Sequence, residues 1–179
     1  MKRAREGSTG NAGLGIVESP HVIPNECWRM RLKDLFTPDA VKLELESDTK
    51  DGLLQELASL LGLDAKSEAT LVKTLRRREN LGSTGIGKGI AIPHCRSLVV
   101  SRLRLAYGRR PAGVDFNSID GRPVHNFFLI VAPPLEVSNQ YLPVLGKVAQ
   151  FCKEPDVPER LSALSSVDDF LALLAEKAP

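Results

Sequence analysis

The chain has 179 residues, and its 24 Lys and Arg residues nearly balance its 22 Asp and Glu residues, so the formal net charge is +2 at pH 7. That balance argues against a nucleic-acid-binding protein or a membrane-surface protein, and 5% aromatic residues argue against a stacking platform for single-stranded nucleic acid. No apolar run approaches the roughly 20 residues that cross a bilayer, so no membrane insertion is expected.

The first 29 residues differ in character from the rest. They are polar and glycine-rich without an amphipathic period, and they are expected to form a flexible tail. Their basic start lacks the apolar core of about 7 to 15 residues that a signal peptide has. Met30 begins the remainder, so the tail could reflect an upstream start codon. Residues 30–179 are expected to form one domain with a substantial core.

Next come a predicted strand and two predicted helices. Residues 41–46 alternate between apolar and polar and predict a half-exposed strand. Asp48 or Thr49 is expected to cap a helix. Its apolar stripe comprises Leu53, Leu54, Leu57, Leu60 and Leu61. A second helix is predicted from about Ser67 to Glu79. Its inward residues are Leu71, Val72 and Leu75, and its C-terminal end carries Arg76, Arg77 and Arg78.

Residues 78–94 form the most distinctive stretch of the chain. Four glycines, Gly82, Gly85, Gly87 and Gly89, permit close approach of the backbone and predict a nest of N–H groups for an anion. Ser83 and Thr84 could add hydroxyl donors. Residues 90–92 read as a short buried strand, and Pro93 then presents His94 at its end. The arrangement suggests phosphate chemistry at the imidazole.

The second half predicts further strands and two helices. Residues 102–107 alternate as a strand, residues 111–122 are turn-rich, and residues 127–132 predict a central strand buried on both faces. Ser138 or Asn139 is expected to cap the following helix, whose inward face comprises Tyr141, Leu145, Val148 and Cys152. Ser165 and Asp168 are spaced as a capping box for a last helix. Together these elements predict an α/β fold, with one mixed sheet flanked by helices.

Three cysteines and His125 are assigned no chemistry. Cys27, Cys95 and Cys152 form no Cys-x-x-Cys pair, which argues against disulfides and a zinc site and indicates a reducing cytoplasm. Cys95 follows His94 directly, but neighbouring strand residues point to opposite faces, so Cys95 is interpreted as a small core residue. His125 is interpreted as a partly exposed histidine at the start of a strand. No metal or cofactor is implied.

One long motif resembles a known family. It comprises Arg78-Glu79, Gly82-Ser83-Thr84-Gly85-Ile86-Gly87 and Gly89-Ile90-Ala91-Ile92-Pro93-His94. The motif is similar to that of the type 2 enzyme IIA proteins of the bacterial phosphoenolpyruvate-dependent phosphotransferase system, the fructose, mannitol and nitrogen-regulatory branch. The likeness extends more loosely from about Met30 to the C-terminus. It implies the mannitol/fructose-type IIA fold.

The resemblance also implies a site and partners. His94 would accept a phosphoryl group from an HPr-like carrier protein, which docks on an apolar patch around it. Arg78 would neutralise phosphate charge, and Glu79, Ser83, Thr84, Gly85 and Gly87 would support the phosphate. The acceptor would be a IIB domain in sugar-type members or regulated proteins in nitrogen-type members. The residues of the motif and the end of the chain at Pro179 favour the nitrogen type.

Tyr141 departs from the family pattern. A second histidine usually opens this helix in the resembling proteins, and tyrosine keeps a hydroxyl donor but cannot carry positive charge. Tyr141 therefore either supports the phosphate or only fills an apolar stripe.

Three alternatives to a regulatory phosphocarrier remain. The first is a sugar-specific IIA component, and the other two lie outside phosphoryl transfer. One is a binding module that has lost transfer, and the other is a hydrolase with His94 as base, for which no Ser-His-Asp set is evident.

Overall fold

A computed structural model describes residues 31–134 and 139–178. The expected tail over residues 1–29, Met30, Cys27 and Ser138 lie outside these ranges. The helices are α1 (Lys50–Ser59), α2 (Ala65–Asn80), α3 (Tyr141–Lys153), α4 (Val157–Ser162) and α5 (Val167–Lys177). The strands are β1 (Val41–Lys42), β2 (Gly85–Gly87), β3 (Ile90–Ala91), β4 (His94–Arg96), β5 (Arg104–Val114) and β6 (Val124–Ala132).

One mixed sheet contains all six strands. Its order is β1-β5-β6-β3-β2, and β4 also pairs with β6. Strand β6 is antiparallel to β5 and parallel to β3 and β4. Strands β3 and β4 therefore follow one edge of β6 in succession, and the break between them falls at Ile92 and Pro93.

Strand β6 is buried on both faces, as its continuous apolar run predicts. Its odd-numbered residues Phe127, Leu129 and Val131 pack with helices α1 and α2. Its even-numbered residues Phe128 and Ile130 pack with helices α3, α4 and α5. The sheet thus lies between two helical layers, which confirms the predicted α/β class.

The helix ends show which cap predictions were correct. Thr49 caps α1, because its side chain accepts a hydrogen bond from the amide of Gly52 at 3.1 Å. Helix α2 begins at Ala65, two residues before the predicted start, since Asp64 is its cap. The capping box of α5 is formed by Ser166 and Asp169 rather than by Ser165 and Asp168. The cap position of helix α3 is Gln140, without a side-chain cap hydrogen bond, so the assignment to Asn139 was wrong.

Two strand boundaries also differ from the prediction. Strand β1 ends at Lys42, and the backbone beyond it bonds mainly to side chains: the carbonyls of Leu43 and Leu45 accept from Arg109 and Arg110, and the amides of Glu46 and Ser47 donate to Glu56. The amide of Leu45 still donates to the backbone of β5, at the carbonyl of Arg109. Strand β5 continues to Val114, through the segment predicted as turn-rich. Its register against β6 shifts between Arg109 and Val114, and such an irregularity accommodates Pro111, which lacks an N–H.

Within the described ranges, every helix is too short or too polar to span a bilayer.

Candidate functional site

His94 is the first residue of β4 and lies opposite Ile130 of β6. The preceding proline fixes this position: Pro93 has no N–H to donate, and its carbonyl accepts the amide of Ile130 at 2.9 Å. The alternation along β4 leaves His94 and Arg96 half-buried on one face and buries Cys95 on the other. The imidazole therefore stands at the carboxyl end of the central strand.

The tautomer of His94 follows from its backbone partner. Nδ1 lies 2.6 Å from the carbonyl oxygen of Ile92, and because a carbonyl only accepts, Nδ1 must carry the hydrogen. Nε2 then keeps its lone pair. Burial lowers the pKa of His94; the Ile92 carbonyl opposes that shift, and the charge of Arg78 adds to it. The ring is accordingly a neutral imidazole at pH 7, the form that acts as a nucleophile.

A buried carboxylate supports this geometry through a chain of hydrogen bonds. Glu79, 6% exposed, accepts from the amide of Thr84 at 3.1 Å and from its hydroxyl at 2.7 Å, and the ammonium of Lys50 lies at 3.2 Å. The carbonyl of Thr84 in turn accepts the amide of Ile92 at 3.0 Å. Ile92 holds the His94 ring, so Glu79 is linked to the imidazole in three steps.

The glycine-rich segment differs from the anion nest that its composition suggests. Strands β2 and β3 pair antiparallel, so residues 85–91 form a β-hairpin. The amide of Gly85 donates to the Ser83 hydroxyl, that of Gly87 to the Ser118 hydroxyl, and that of Lys88 to the Asp120 carboxylate. Three amides of the expected nest are therefore already bonded within the protein.

The two adjacent hydroxyls are also bonded within the protein. Ser83 donates to the carbonyl of Phe116 at 2.7 Å, and Thr84 donates to Glu79. Each hydroxyl has one hydrogen, so in this arrangement neither can donate to a phosphate as well. The sequence indicated polar groups near His94 correctly, but it could not show that their partners lie up to 33 residues away.

Two arginines and a tyrosine accompany the imidazole. Arg78 lies close enough for its charge to act on both His94 and Tyr141, and its Nη1 donates to the carbonyl of Gly82 at 2.9 Å. The ring centroids of His94 and Tyr141 are 6.1 Å apart. The guanidinium carbon of Arg96 lies 4.6 Å from the Tyr141 centroid, over its face. Sequence reasoning missed Arg96, although its position two residues after His94 on a strand was the available signal.

Exposed leucines follow the residues of the site in sequence. Leu81 is 82% exposed just after α2, Leu98 is 89% exposed two residues beyond β4, and Leu142 is 68% exposed beside Tyr141. Leucines exposed to this extent are the kind of side chains that protein partners cover. They are candidates for the apolar patch expected around His94.

Cys95 and His125 have the structural surroundings that the sequence indicated. Cys95 is buried in the layer of α1 and α2, and burial raises the pKa of its thiol to about 12, so it is inert as a nucleophile at neutral pH. His125 is partly exposed at the start of β6, with Nδ1 3.1 Å from the carbonyl of Pro111. Among the described residues, no cluster of three or more His, Cys, Asp or Glu side chains could hold a metal ion.

The comparison with known proteins agrees with the fold and the motif. Residues 34–177 match the family described as phosphoenolpyruvate-dependent sugar phosphotransferase system, EIIA 2. The chain is 31% identical over 147 residues to the nitrogen regulatory protein of Bradyrhizobium diazoefficiens, covering 82% of this chain and 95% of that one. A crystal structure of nitrogen regulatory protein IIA-Ntr from Neisseria meningitidis matches with a TM-score of 0.73 and 32% identity, covering 80% of this chain and 98% of that one.

A longer relative matches over part of its length. The fructose-specific EIIABC component of Bacillus subtilis is 31% identical over 147 residues, which are 81% of this chain and 23% of that protein. The chain thus spans about a quarter of this relative and nearly the whole length of the nitrogen regulatory protein. The similarity therefore concerns the IIA part alone.

Proposed function

The chain belongs to the EIIA type 2 family of the phosphoenolpyruvate-dependent sugar phosphotransferase system, and we propose on that premise that it carries a phosphoryl group on Nε2 of His94. The observation that supports the proposal most directly is the 2.6 Å hydrogen bond from Nδ1 to the Ile92 carbonyl. It leaves Nε2 as the nucleophilic nitrogen of a neutral ring. The thiol of Cys95 points to the opposite face of β4 and is therefore not part of this arrangement.

The proposed transfer moves one phosphoryl group between two imidazoles. The lone pair of Nε2 attacks the phosphorus of a phosphohistidine on an HPr-like carrier, and the phosphorus–nitrogen bond of the donor breaks. The electron pair of that bond returns to the donor ring, which leaves as a neutral imidazole. His94 keeps its Nδ1–H, so the phosphorylated ring becomes cationic, and the Ile92 carbonyl stabilises that charge.

Positioning and charge supply the rest of the proposed catalysis. Phosphoryl transfer depends mainly on in-line geometry and on cations near the equatorial oxygens. Arg78 is the proposed phosphate partner, since its charge already acts on His94. Glu79, Thr84 and Ser83 are proposed to support the phosphate indirectly, by fixing the backbone that holds the imidazole. Gly85 and Gly87 belong to the same hairpin.

We further propose that the chain acts in regulation rather than in sugar uptake. Three of its relatives are named nitrogen regulatory proteins, and it is similar to between 91% and 96% of the length of each. The phosphoryl donor would be an HPr-like protein, which would dock over Leu81, Leu98 and Leu142. The acceptor would be a regulated protein, or a IIB domain if the chain serves a sugar route. The proposed compartment is the cytoplasm.

The test is phosphorylation by enzyme I, HPr and phosphoenolpyruvate, followed by intact mass at neutral pH. We expect one acid-labile phosphate on the wild type, none on His94→Ala, and one on His125→Ala. The last variant is a matched control, because His125 is the second histidine of the described region and its Nδ1 is also bonded to a backbone carbonyl.

Two results would count against phosphoryl transfer to His94. If a folded wild type takes no phosphate at high carrier concentration, transfer is excluded and a binding module on the same fold becomes the better interpretation. Tyr141→Ala and Tyr141→His would then be tested, because Tyr141 lies beside the imidazole and cannot carry positive charge. Phosphate on His94→Ala would place the acceptor elsewhere.

A further inference from the structure

Strand β4 presents Arg96 on the same face as His94. Residues i and i+2 of a strand point the same way, and both side chains are half-buried while Cys95 between them is buried on the opposite face. Nη1 of Arg96 donates to the carbonyl of Pro133 at 2.8 Å, just beyond the end of β6. The guanidinium is thus anchored at the sheet edge where the imidazole stands.

The ring of Tyr141 connects the two side chains. Its centroid is 6.1 Å from that of His94, and the guanidinium carbon of Arg96 lies 4.6 Å away over its face. Such a cation–π contact orients a guanidinium without neutralising it. Burial raises the pKa of the Tyr141 phenol, so the ring carries no negative charge at neutral pH.

We infer that Arg96, stacked on Tyr141, binds the phosphoryl group carried by His94, with Tyr141 as the platform that positions the guanidinium. The inference rests on the proposed function. A dianionic phosphoryl group on a half-buried nitrogen needs fixed positive charge nearby, and a guanidinium keeps its charge whatever else it contacts. Arg78 comes from the end of α2 and Arg96 from β4, so two different elements would supply cations to one group.

The experiment compares Arg96→Met with Arg122→Met, which removes the same charge from an exposed position before the start of β6. Phosphoramidate serves as one phosphoryl donor, because it needs no docking surface: Nε2 attacks its phosphorus and ammonia leaves. Phosphorylated HPr serves as the other. The readouts are the rate of acceptance from HPr and the change in Tm when His94 is phosphorylated.

We expect Arg96→Met to accept phosphate from HPr about tenfold more slowly than the wild type, as befits the loss of a charge-assisted contact. The Tm of the phosphorylated form minus the Tm of the unphosphorylated form should be smaller in Arg96→Met than in the wild type. In Arg122→Met this difference should equal that of the wild type. A purely structural role of Arg96 would lower the Tm of both forms equally. Arg96→Lys should recover part of the difference, because it keeps the charge but loses the planar fork.

Tyr141 variants test the platform. Tyr141→Phe should accept phosphate faster than Tyr141→Leu, because it retains the ring, whereas Tyr141→Leu should approach Arg96→Met. A loss in Tyr141→Phe as large as that in Tyr141→Leu would overturn the platform and assign the effect to the hydroxyl.

The outcomes separate the two proposals. Phosphate on the wild type, with the same Tm change and the same acceptance rate in Arg96→Met, would overturn this inference alone. No phosphate on His94 with either donor would overturn the proposed function and this inference together.

Discussion

A histidine whose Nδ1 contacts a backbone carbonyl lies at each end of strand β6, His125 in the strand itself and His94 on the neighbouring β4, yet the two rings have different surroundings. His94 lies beside the carboxyl end, with two arginines and a tyrosine around it. His125 lies at the amino end, against two glycines with positive φ, Gly89 and Gly113. The hydrogen bond to a carbonyl is therefore common to both histidines, and it is the charged and aromatic neighbours that distinguish His94 from His125.

The first prediction concerns the support of the His94 end and carries the largest expected effect. Glu79→Gln should lower the free energy of unfolding by about 2–4 kcal/mol, because a buried carboxylate with three donors is replaced by a neutral amide. It should also slow phosphoryl acceptance, since Glu79 is linked through Thr84 and Ile92 to the imidazole. Urea denaturation and the HPr assay measure the two effects.

The control for this variant is Glu44→Gln, at an exposed position in the same part of the chain. It should change neither quantity. Unaltered acceptance in a destabilised Glu79→Gln would mean that the hydrogen-bond chain does not position His94.

The second prediction concerns the His125 end. A Cβ on Gly113 would lie 2.6 Å from Cε1 of His125, and the backbone there has φ +73°. Gly113→Ala should therefore cost about 1–3 kcal/mol in urea denaturation, with phosphoryl acceptance preserved. Adding His125→Ala should recover part of the loss, since it removes the clash and leaves the backbone strain.

Gly121→Ala is the matched control for Gly113→Ala. Its φ is +67°, but nothing lies within 4 Å of the added Cβ, so it should show the backbone cost alone. If the two glycine variants lose equal stability, the packing of His125 is not the constraint.

The third prediction separates a structural from a phosphate-binding hydroxyl. Thr84→Val keeps the shape of the side chain and removes the 2.7 Å bond to Glu79, which should cost about 1–2 kcal/mol. The amide bonds of residue 84 to the same carboxylate remain, so phosphoryl acceptance should stay close to that of the wild type. A loss of acceptance much larger than the loss of stability would instead make Thr84 a direct phosphate ligand.

The smallest effect is a pH dependence of stability. Burial lowers the pKa of His94 below its usual value of 6.5, so the unfolded chain takes up a proton first as the pH falls. Stability contributed by the neutral ring is full above pH 6.5 and declines below it, until the folded form is protonated as well. Wild type should lose more stability between pH 7.5 and 5.5 than His94→Gln. Equal losses of stability in the two proteins would show that folding does not lower the pKa of His94.

The sequence predicted the fold well where periodicity was strong. The apolar run at 127–132 is buried on both faces, and Leu71, Val72 and Leu75 face the core as their helical spacing indicated. It failed where long-range pairing decides. The alternation over 41–46 predicted a strand, but side chains of Arg109, Arg110 and Glu56, distant in sequence, bond to most of the backbone groups beyond Lys42. Helix α4 was not foreseen.

The site was predictable in its residue types but not in its hydrogen bonding. The sequence predicted the position of His94 after Pro93 and a cluster of polar residues around Thr84. The hairpin that engages the glycine amides was not predicted, because Ser118 and Asp120 lie about 30 residues away in sequence. The roles assigned to Arg78, Ser83 and Tyr141 remain predictions for the assays above.

The two buried cysteines have a practical consequence for folding studies. Cys95 packs in the layer of α1 and α2, and Cys152 packs in the layer of α3, α4 and α5. Both thiols are buried, so a thiol reagent reaches either one only when its layer opens, and burial also raises the pKa of each to about 12. After replacement of Cys27, alkylation rates under native conditions would report separately on the opening of each side of the sheet. Comparing the alkylation rates with and without phosphate on His94 would show in which layer phosphorylation changes the frequency of opening.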